Sequence, residues 1–296
     1  MSAQESNNSF KLENLFNVKD RVALVTGGGS GIGLMVTQAL AVNGAKVYIT
    51  SRTKEKLDRV AELYSKDIPG SIIPIAADIT SKDSIQKLVD EISSKEGGKL
   101  HILVNNAGIR SPTQNTEQED PQAVQKELFK NQSTVEEWED VMRTNVSQLF
   151  FMTAAFLPLL CKASEETFGW SSTVVNISSV SGLVKSAQHH FAYSASKAAA
   201  VHLTKMLAHE IISSNAKIRV NNIAPGVFPS EMTAKDSDEK QKSTIPKEKY
   251  EGKVPARRPG KDEDMAGAVL FTVSNQYLNG QTIVVDGGFL LAAGSL

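Results

Sequence analysis

Tyr193 and Lys197 stand four residues apart, a spacing that places both on one face of a helix. A phenol loses its proton near pH 10, too high for acid–base work at neutral pH. A nearby lysine cation favours the phenolate and brings that value down. Spacing alone leaves a second reading, because Tyr-x-x-x-Lys is also a common solvated helix pair. Ser178 and Ser179 close the β-branched run Thr173-Val174-Val175-Asn176-Ile177, the second of them fourteen residues before Tyr193. A hydroxyl at the C-terminal end of a strand points into the ligand crevice of an open α/β sheet. Either serine could therefore face a substrate beside the tyrosine.

A second constellation binds rather than reacts. Thr26-Gly27-Gly28-Gly29-Ser30-Gly31-Ile32-Gly33 follows the apolar run Val22-Ala23-Leu24-Val25. After it, Ile32, Met35, Val36, Ala39 and Leu40 recur with helical period. A glycine-rich turn between a buried strand and a helix lets the backbone approach a pyrophosphate, and the helix N-terminus favours the anion. Without that context the octet would read as a flexible surface turn.

These residues need a frame, and the pattern supplies one. Strand-like runs occur at 22–25, 47–50, 71–76, 101–104, 173–177, 218–223 and 282–285, with helical patterns near 54–64, 83–95, 134–160, 192–213 and 262–273. Strand and helix in alternation imply parallel strands with helices on both faces, a three-layer, Rossmann-like doubly wound α/β sheet of about seven strands. The strands are largely apolar throughout, as burial on both faces demands. Residues 1–17 read as a floppy polar arm, and 18–296 as a single domain. The stretches 110–133 and 234–261 are polar and proline-bearing and do not read as core. Residues 227–256 read as a substrate lid.

The glycines fall as G-x-x-x-G-x-G, and with the later motifs the sequence resembles the short-chain dehydrogenase/reductase family over roughly residues 18–292. The resemblance is closest to NADP(H)-dependent 3-oxoacyl-carrier-protein reductases and related ketoreductases. It implies a cofactor site of Gly27, Ser30, Gly31, Ile32 and Gly33, with Asp78 and Ile79 against the adenine. Asp78 has a competing reading as a turn or N-cap aspartate. Asn105-Asn106-Ala107-Gly108 resembles the family's N-N-A-G segment, which supports the sheet and lines the adenine ribose through Asn105, Ala107 and Gly108. Pro225-Gly226 resembles its P-G turn, with backbone groups of Val227 and the Ser230 hydroxyl toward the nicotinamide.

The resemblance selects Ser179 over Ser178 as the substrate-holding serine. It makes Asn145 a fourth catalytic residue that bends its helix and holds a water leading to the lysine. Read without it, Asn145 is a solvent-facing helix residue. Tyr193 becomes the proton donor. Lys197 binds the nicotinamide ribose and lowers the tyrosine pKa. The segment Ser186 to Phe191 carries one residue more than common relatives.

Cofactor choice rests on charge. An acidic residue at the end of the second strand suits the ribose 2′-hydroxyl of NAD. Here Ser51 and Arg52 stand there, and an arginine can pair with a 2′-phosphate. NADP(H) is the expected cofactor, with hydride transfer to or from a carbonyl or secondary alcohol. Two competing readings remain: an NAD(P)-dependent alcohol or polyol dehydrogenase, and a non-catalytic nucleotide sensor or scaffold.

Composition narrows the partners. The 296 residues carry 32 Lys+Arg against 33 Asp+Glu, a formal charge of −1, which argues against nucleic acid or a polybasic membrane surface. Apolar runs look too short to span a membrane. One cysteine, Cys161, allows no internal disulfide, and no Cys/His spacing suggests a metal. A reducing, cytoplasmic setting is expected, since the terminal Gly-Ser-Leu lacks the basic middle residue of a peroxisomal address. By analogy the chain is expected to be a homo-oligomer, a tetramer or dimer.

Overall fold

A computed structural model describes residues 2–130, 133–234, 236–252 and 254–294. Met1 of the arm, residues 131–132 of the first polar stretch, Lys235 and Lys253 of the second, and the last two residues of the terminal tripeptide lie outside them.

Seven parallel strands form one sheet: β1 (Val22–Thr26), β2 (Lys46–Ser51), β3 (Ser71–Ala76), β4 (Ile102–Asn105), β5 (Ser172–Ile177), β6 (Ile218–Pro225) and β7 (Thr282–Val285). Their order is β3-β2-β1-β4-β5-β6-β7. The chain winds outward in one direction from β1 and in the other from β4, so the switch point lies between those two strands. Every residue of β1, β4, β5 and β6 is buried, as a sheet covered on both faces requires. One apolar layer packs α3 (Gly31–Val42) and α11 (Asp262–Ser274) on the sheet. The other packs α5 (Lys82–Lys95), α8 (Gln148–Glu166) and α9 (Phe191–Ser213) on the opposite face. α4 (Lys54–Tyr64) joins β2 to β3.

The sequence places these elements closely, with informative exceptions. The helix expected over 134–160 is three pieces: α7 (Val135–Met142), a π-helical turn Arg143–Ser147, and α8, which runs on through Pro158. It reaches Glu166 because Leu159, Leu160 and Ala163 still bury against the sheet. The whole stretch Val135–Glu166 is long and apolar enough by composition to cross a membrane, which corrects the expectation that no run is. Its apolar residues Leu149, Met152 and Phe156 instead lie in the core.

The arm carries two short exposed helices, α1 (Ala3–Ser9), closed by a Ser2/Glu5 capping box, and α2 (Leu12–Leu15). The two polar stretches are not wholly outside the core. Ser111 and Gln114 are buried in the first, which also forms the five-residue helix α6 (Pro121–Gln125). In the second, Ile245, Tyr250 and Val254 gather with Val227 and Phe289 into a small apolar cluster. These few apolar residues are spaced by charges, so no period betrays them. The stretch expected as a lid contains the four-residue α10 (Glu231–Ala234), and the last described helix is α12 (Phe289–Ala293).

Buried polar groups tie the far edge. Arg219 of β6, 4% exposed, donates to the carbonyls of Ser171, Thr272, Val273, Asn275 and Leu278. Burial pushes its guanidinium down to about 10, still charged at neutral pH.

Candidate active site

The glycine turn sits on the switch point. Gly27 and Gly31 take positive φ (65° and 51°), where a side chain would be strained. A Cβ on Gly33 would stand 2.0 Å from the Gly27 carbonyl oxygen, so α3 can approach β1 only because that side chain is absent. Thr26 stitches the two halves together: its hydroxyl oxygen accepts from Asn106 N (2.9 Å) and Ala107 N (3.1 Å) of the segment after β4. Ser30 begins α3 without capping it through its side chain.

A cleft of about 520 Å³ opens here, lined among others by Ser30, Ile32, Arg52, Ala107, Tyr193 and Lys197. A second of about 340 Å³ continues it past Ser51 to Asp78 and Ile79. Asp78 is also a turn aspartate, accepting from Thr80 N (2.9 Å) and Thr80 Oγ1 (2.7 Å). Those bonds hold its carboxyl below the usual range, with a further pull from the Arg52 charge. Arg52 is exposed at the seam of the two clefts, and no hydrogen bond or ion pair among the described residues claims its guanidinium.

One expected cofactor contact is corrected. The Asn105 side chain is fully buried and donates to Asn176 Oδ1 (2.9 Å) and Thr153 Oγ1 (3.3 Å). As the last strand residue it points into the layer beneath the sheet. It supports the site, and Asn106 lines the cleft instead. Pro225 is likewise buried in β6, whereas Gly226 and Val227 line a third cavity and Ser230 lines the main cleft. Ser230 packs against the phosphate turn, for a Cβ on Gly31 would stand 2.8 Å from its own.

The reactive residues converge at the inner end of the cleft. Ser179 and Tyr193 share a hydroxyl hydrogen bond. Ser178 also borders the main cleft, but its hydroxyl is engaged, accepting from Asn222 Nδ2 at 2.8 Å. Tyr193 and Lys197 both lie on α9, with the ammonium 5.7 Å from the phenol ring centroid. Lys197 is 4% exposed and donates to the Ile177 carbonyl at 3.0 Å. Burial pushes it down to about 8.

Burial likewise raises the Tyr193 phenol, and the groups that oppose this are the Ser179 hydrogen bond and the Arg110 charge. The ammonium lies over the ring face and spends a donor on Ile177.

Asn145 is 1% exposed, not solvent-facing. It sits within the π-helical turn, where the widened backbone swings its amide inward. Oδ1 accepts from Ile109 N (2.8 Å), while Nδ2 donates to Ile109 O (3.0 Å) and Ser196 Oγ (3.0 Å). Beyond Tyr193 lies a cavity of about 290 Å³ with apolar walls of Val180, Val227, Met232 and Phe289.

Sequence reasoning missed three participants. Glu231 of the lid pairs with Lys56 at 2.6 Å and also bonds Ser30 and Ser237. Burial pushes its carboxyl up, and those three bonds more than reverse the effect. Arg110 and His190 face each other beside Tyr193. Arg110 lies two residues after the Asn105–Gly108 segment, and that proximity is the only signal for it in the sequence.

The two linked clefts fit a nicotinamide dinucleotide: a cradle that side chains would fill, an open helix N-terminus, and an uncommitted cation at the ribose end. Among the described residues no cluster of His, Cys, Asp and Glu could hold a metal.

The profile of the family described as short chain dehydrogenase matches residues 21–241. Short-chain dehydrogenase/reductase PhomF of Diaporthe leptostromiformis is 40% identical over 281 residues, covering 93% of each chain. The 3-oxoacyl-acyl-carrier-protein reductase FabG of Thermotoga maritima is 30% identical, covering 93% of this chain and 99% of its own. Among solved structures, the RhlG/NADP active-site complex of Pseudomonas aeruginosa is similar at a TM-score of 0.77 and 33% identity, over 93% of this chain and 98% of that one.

Proposed function

The chain belongs to the short-chain dehydrogenase family, and on that premise we propose that it is an NADP(H)-dependent ketoreductase. The observation that carries this is the meeting of Ser179, Tyr193 and Lys197 where the main cleft, lined by Tyr193 and Lys197, adjoins the cavity lined by Ser179 and Tyr193. Gly27, Gly31 and Gly33 would let the backbone reach the pyrophosphate, Arg52 would take the 2′-phosphate, and Lys197 the nicotinamide ribose. The bound nicotinamide supplies or accepts the hydride.

The protein's own part is proton handling. Ser179 donates a hydrogen bond to the substrate oxygen, an oxyanion-type role. Tyr193 gives that oxygen its proton in reduction and takes it back in oxidation. Asn145 fixes the Ile109 backbone and Ser196, and so holds the wall of the site in place. The apolar chamber beyond Tyr193 suits the carbon skeleton of a ketone or 3-oxoester. The relatives named 3-oxoacyl reductases support this substrate class.

A homo-oligomer is part of the same reading, supported by Phe150 and Met206 standing open on α8 and α9. A reducing, cytoplasmic setting follows from the single thiol, half-buried Cys161. The test is a panel of ketones, 3-oxoesters and sugar alcohols with both nicotinamide cofactors. NADPH-dependent reduction of a ketone or 3-oxoester is expected. Hydride transfer to no member of the panel with either cofactor would overturn the reading.

A further inference from the structure

Arg110 plays no part in the mechanism above, yet it lines both the dinucleotide cleft and the apolar chamber. It follows β4 and reaches two other parts of the chain. One terminal nitrogen donates to the Met232 carbonyl of the lid at 2.8 Å. The other donates to His190 Nε2 at 2.7 Å. A guanidinium has no lone pair to offer, so Nε2 must be the unprotonated, accepting nitrogen. The other ring nitrogen, Nδ1, lies 3.1 Å from the Ser111 carbonyl, which can only accept. Nδ1 therefore carries the hydrogen. The imidazole is neutral, with its tautomer fixed from both sides.

His190 occupies the N-cap position of α9, three residues before Tyr193. The two rings meet edge to face with centroids 6.5 Å apart. The preceding Gln188 and His189 hold positive φ (50° and 64°), so this helix start is an unusual turn that needs external support.

We propose that Arg110 is a positioning residue for the reaction, a three-way bracket that joins the β4 loop, the lid and the start of α9 and sets the field in which Tyr193 exchanges its proton. The proposal rests on the reading of Tyr193 as proton donor. Among the described residues, the polar groups that bear on Tyr193 come from three elements. Lys197 comes from its own helix, Ser179 from the end of β5 and Arg110 from the β4 loop. Around Arg110 stand neutral His190 and, from the lid, Tyr250. The Glu117 carboxylate faces His189 at 3.5 Å. Glu231 across the cleft is taken by Lys56. Arg110 is thus the cation on the substrate side of the phenol. Its charge opposes the burial that disfavours the phenolate, and it opposes protonation of His190.

The test needs no known substrate. Ultraviolet difference titration of the full-length chain, with Tyr193→Phe as baseline, reads the ionisation of Tyr193. In Arg110→Gln the midpoint should move to higher pH by about half a unit, roughly threefold in the ionisation constant. Arg110→Lys, which keeps the charge and loses the planar fork, should hold the midpoint near that of the unaltered protein. Nitrogen-15 spectra of the imidazoles should show His190 as the Nδ1–H tautomer in the unaltered protein and as a mixture in Arg110→Gln. An unmoved midpoint in Arg110→Gln, or an Nε2–H tautomer in the unaltered protein, overturns the proposal. Tyr193→Phe that still reduces ethyl acetoacetate with NADPH at the unaltered rate would instead overturn the reading beneath it.

Discussion

Lys197 reaches past the face of the Tyr193 ring to the Ile177 carbonyl, 3.0 Å from its ammonium, and so ends one strand's last turn with a buried charge. That charge costs stability. The unfolded lysine titrates near 10.5 and the folded one at about 8, so between those values the unfolded chain binds more protons and stability rises with pH. Below about 8 the cost is present in full, on the order of 3 kcal/mol. Lys197→Met should be inactive yet more resistant to unfolding at pH 7. Its advantage should shrink as pH climbs from about 8 to 10.5. Melting temperatures across that range check this, and a gap that stays constant contradicts it.

Tyr193→Phe removes the proposed proton donor and only one hydroxyl from the cleft wall. Turnover should fall by about 10²- to 10⁴-fold, the usual worth of a positioned general acid. NADPH binding, followed by fluorescence, should persist. Ser179→Ala should lose turnover as well. Ser178→Ala should chiefly lose stability, because that hydroxyl is spent on Asn222.

Arg52→Asp replaces an uncommitted cation with a carboxylate that repels a 2′-phosphate. Loss of a charge-assisted pair costs about 1.5–3 kcal/mol, so affinity for NADPH should drop by roughly tenfold or more while NADH binding changes little. Titrations with both cofactors decide it. Equal losses would remove Arg52 from the phosphate.

Gly33→Ala should damage fold and binding together. The new methyl meets the Gly27 carbonyl, which is backbone and cannot swing aside. A cost of at least about 1–3 kcal/mol is expected from forced overpacking. Thermal denaturation and NADPH titration should both register it. A variant that melts and binds normally would show that α3 need not approach β1 so closely.

Much of the proposed site is legible in the sequence. The glycine turn, Tyr193 with Lys197, and Ser179 depend on short local patterns, and the alternation of apolar runs fixes where those patterns lie in the sheet. What stayed hidden depends on contacts between segments far apart. Asn105 and Asn106 are neighbours of one type, and only the pleat decides that the first points into the sheet and the second into the cleft. Helical periodicity runs straight through residues 143–147, so the π-helical turn that brings Asn145 inward leaves no mark in it. Arg110, His190 and Met232 lie in three separate stretches of polar sequence, and no spacing rule connects them.

Arg219 imposes an order on how the molecule can be completed. Its buried guanidinium depends on carbonyls of residues 272–278, which are synthesised after β6 has been made. On a chain still being translated, this charge lacks those carbonyls until residues 272–278 have emerged. A ribosome-stalled chain ending before residue 272 should still be open to protease at β6, although every residue of the proposed chemistry has already been translated.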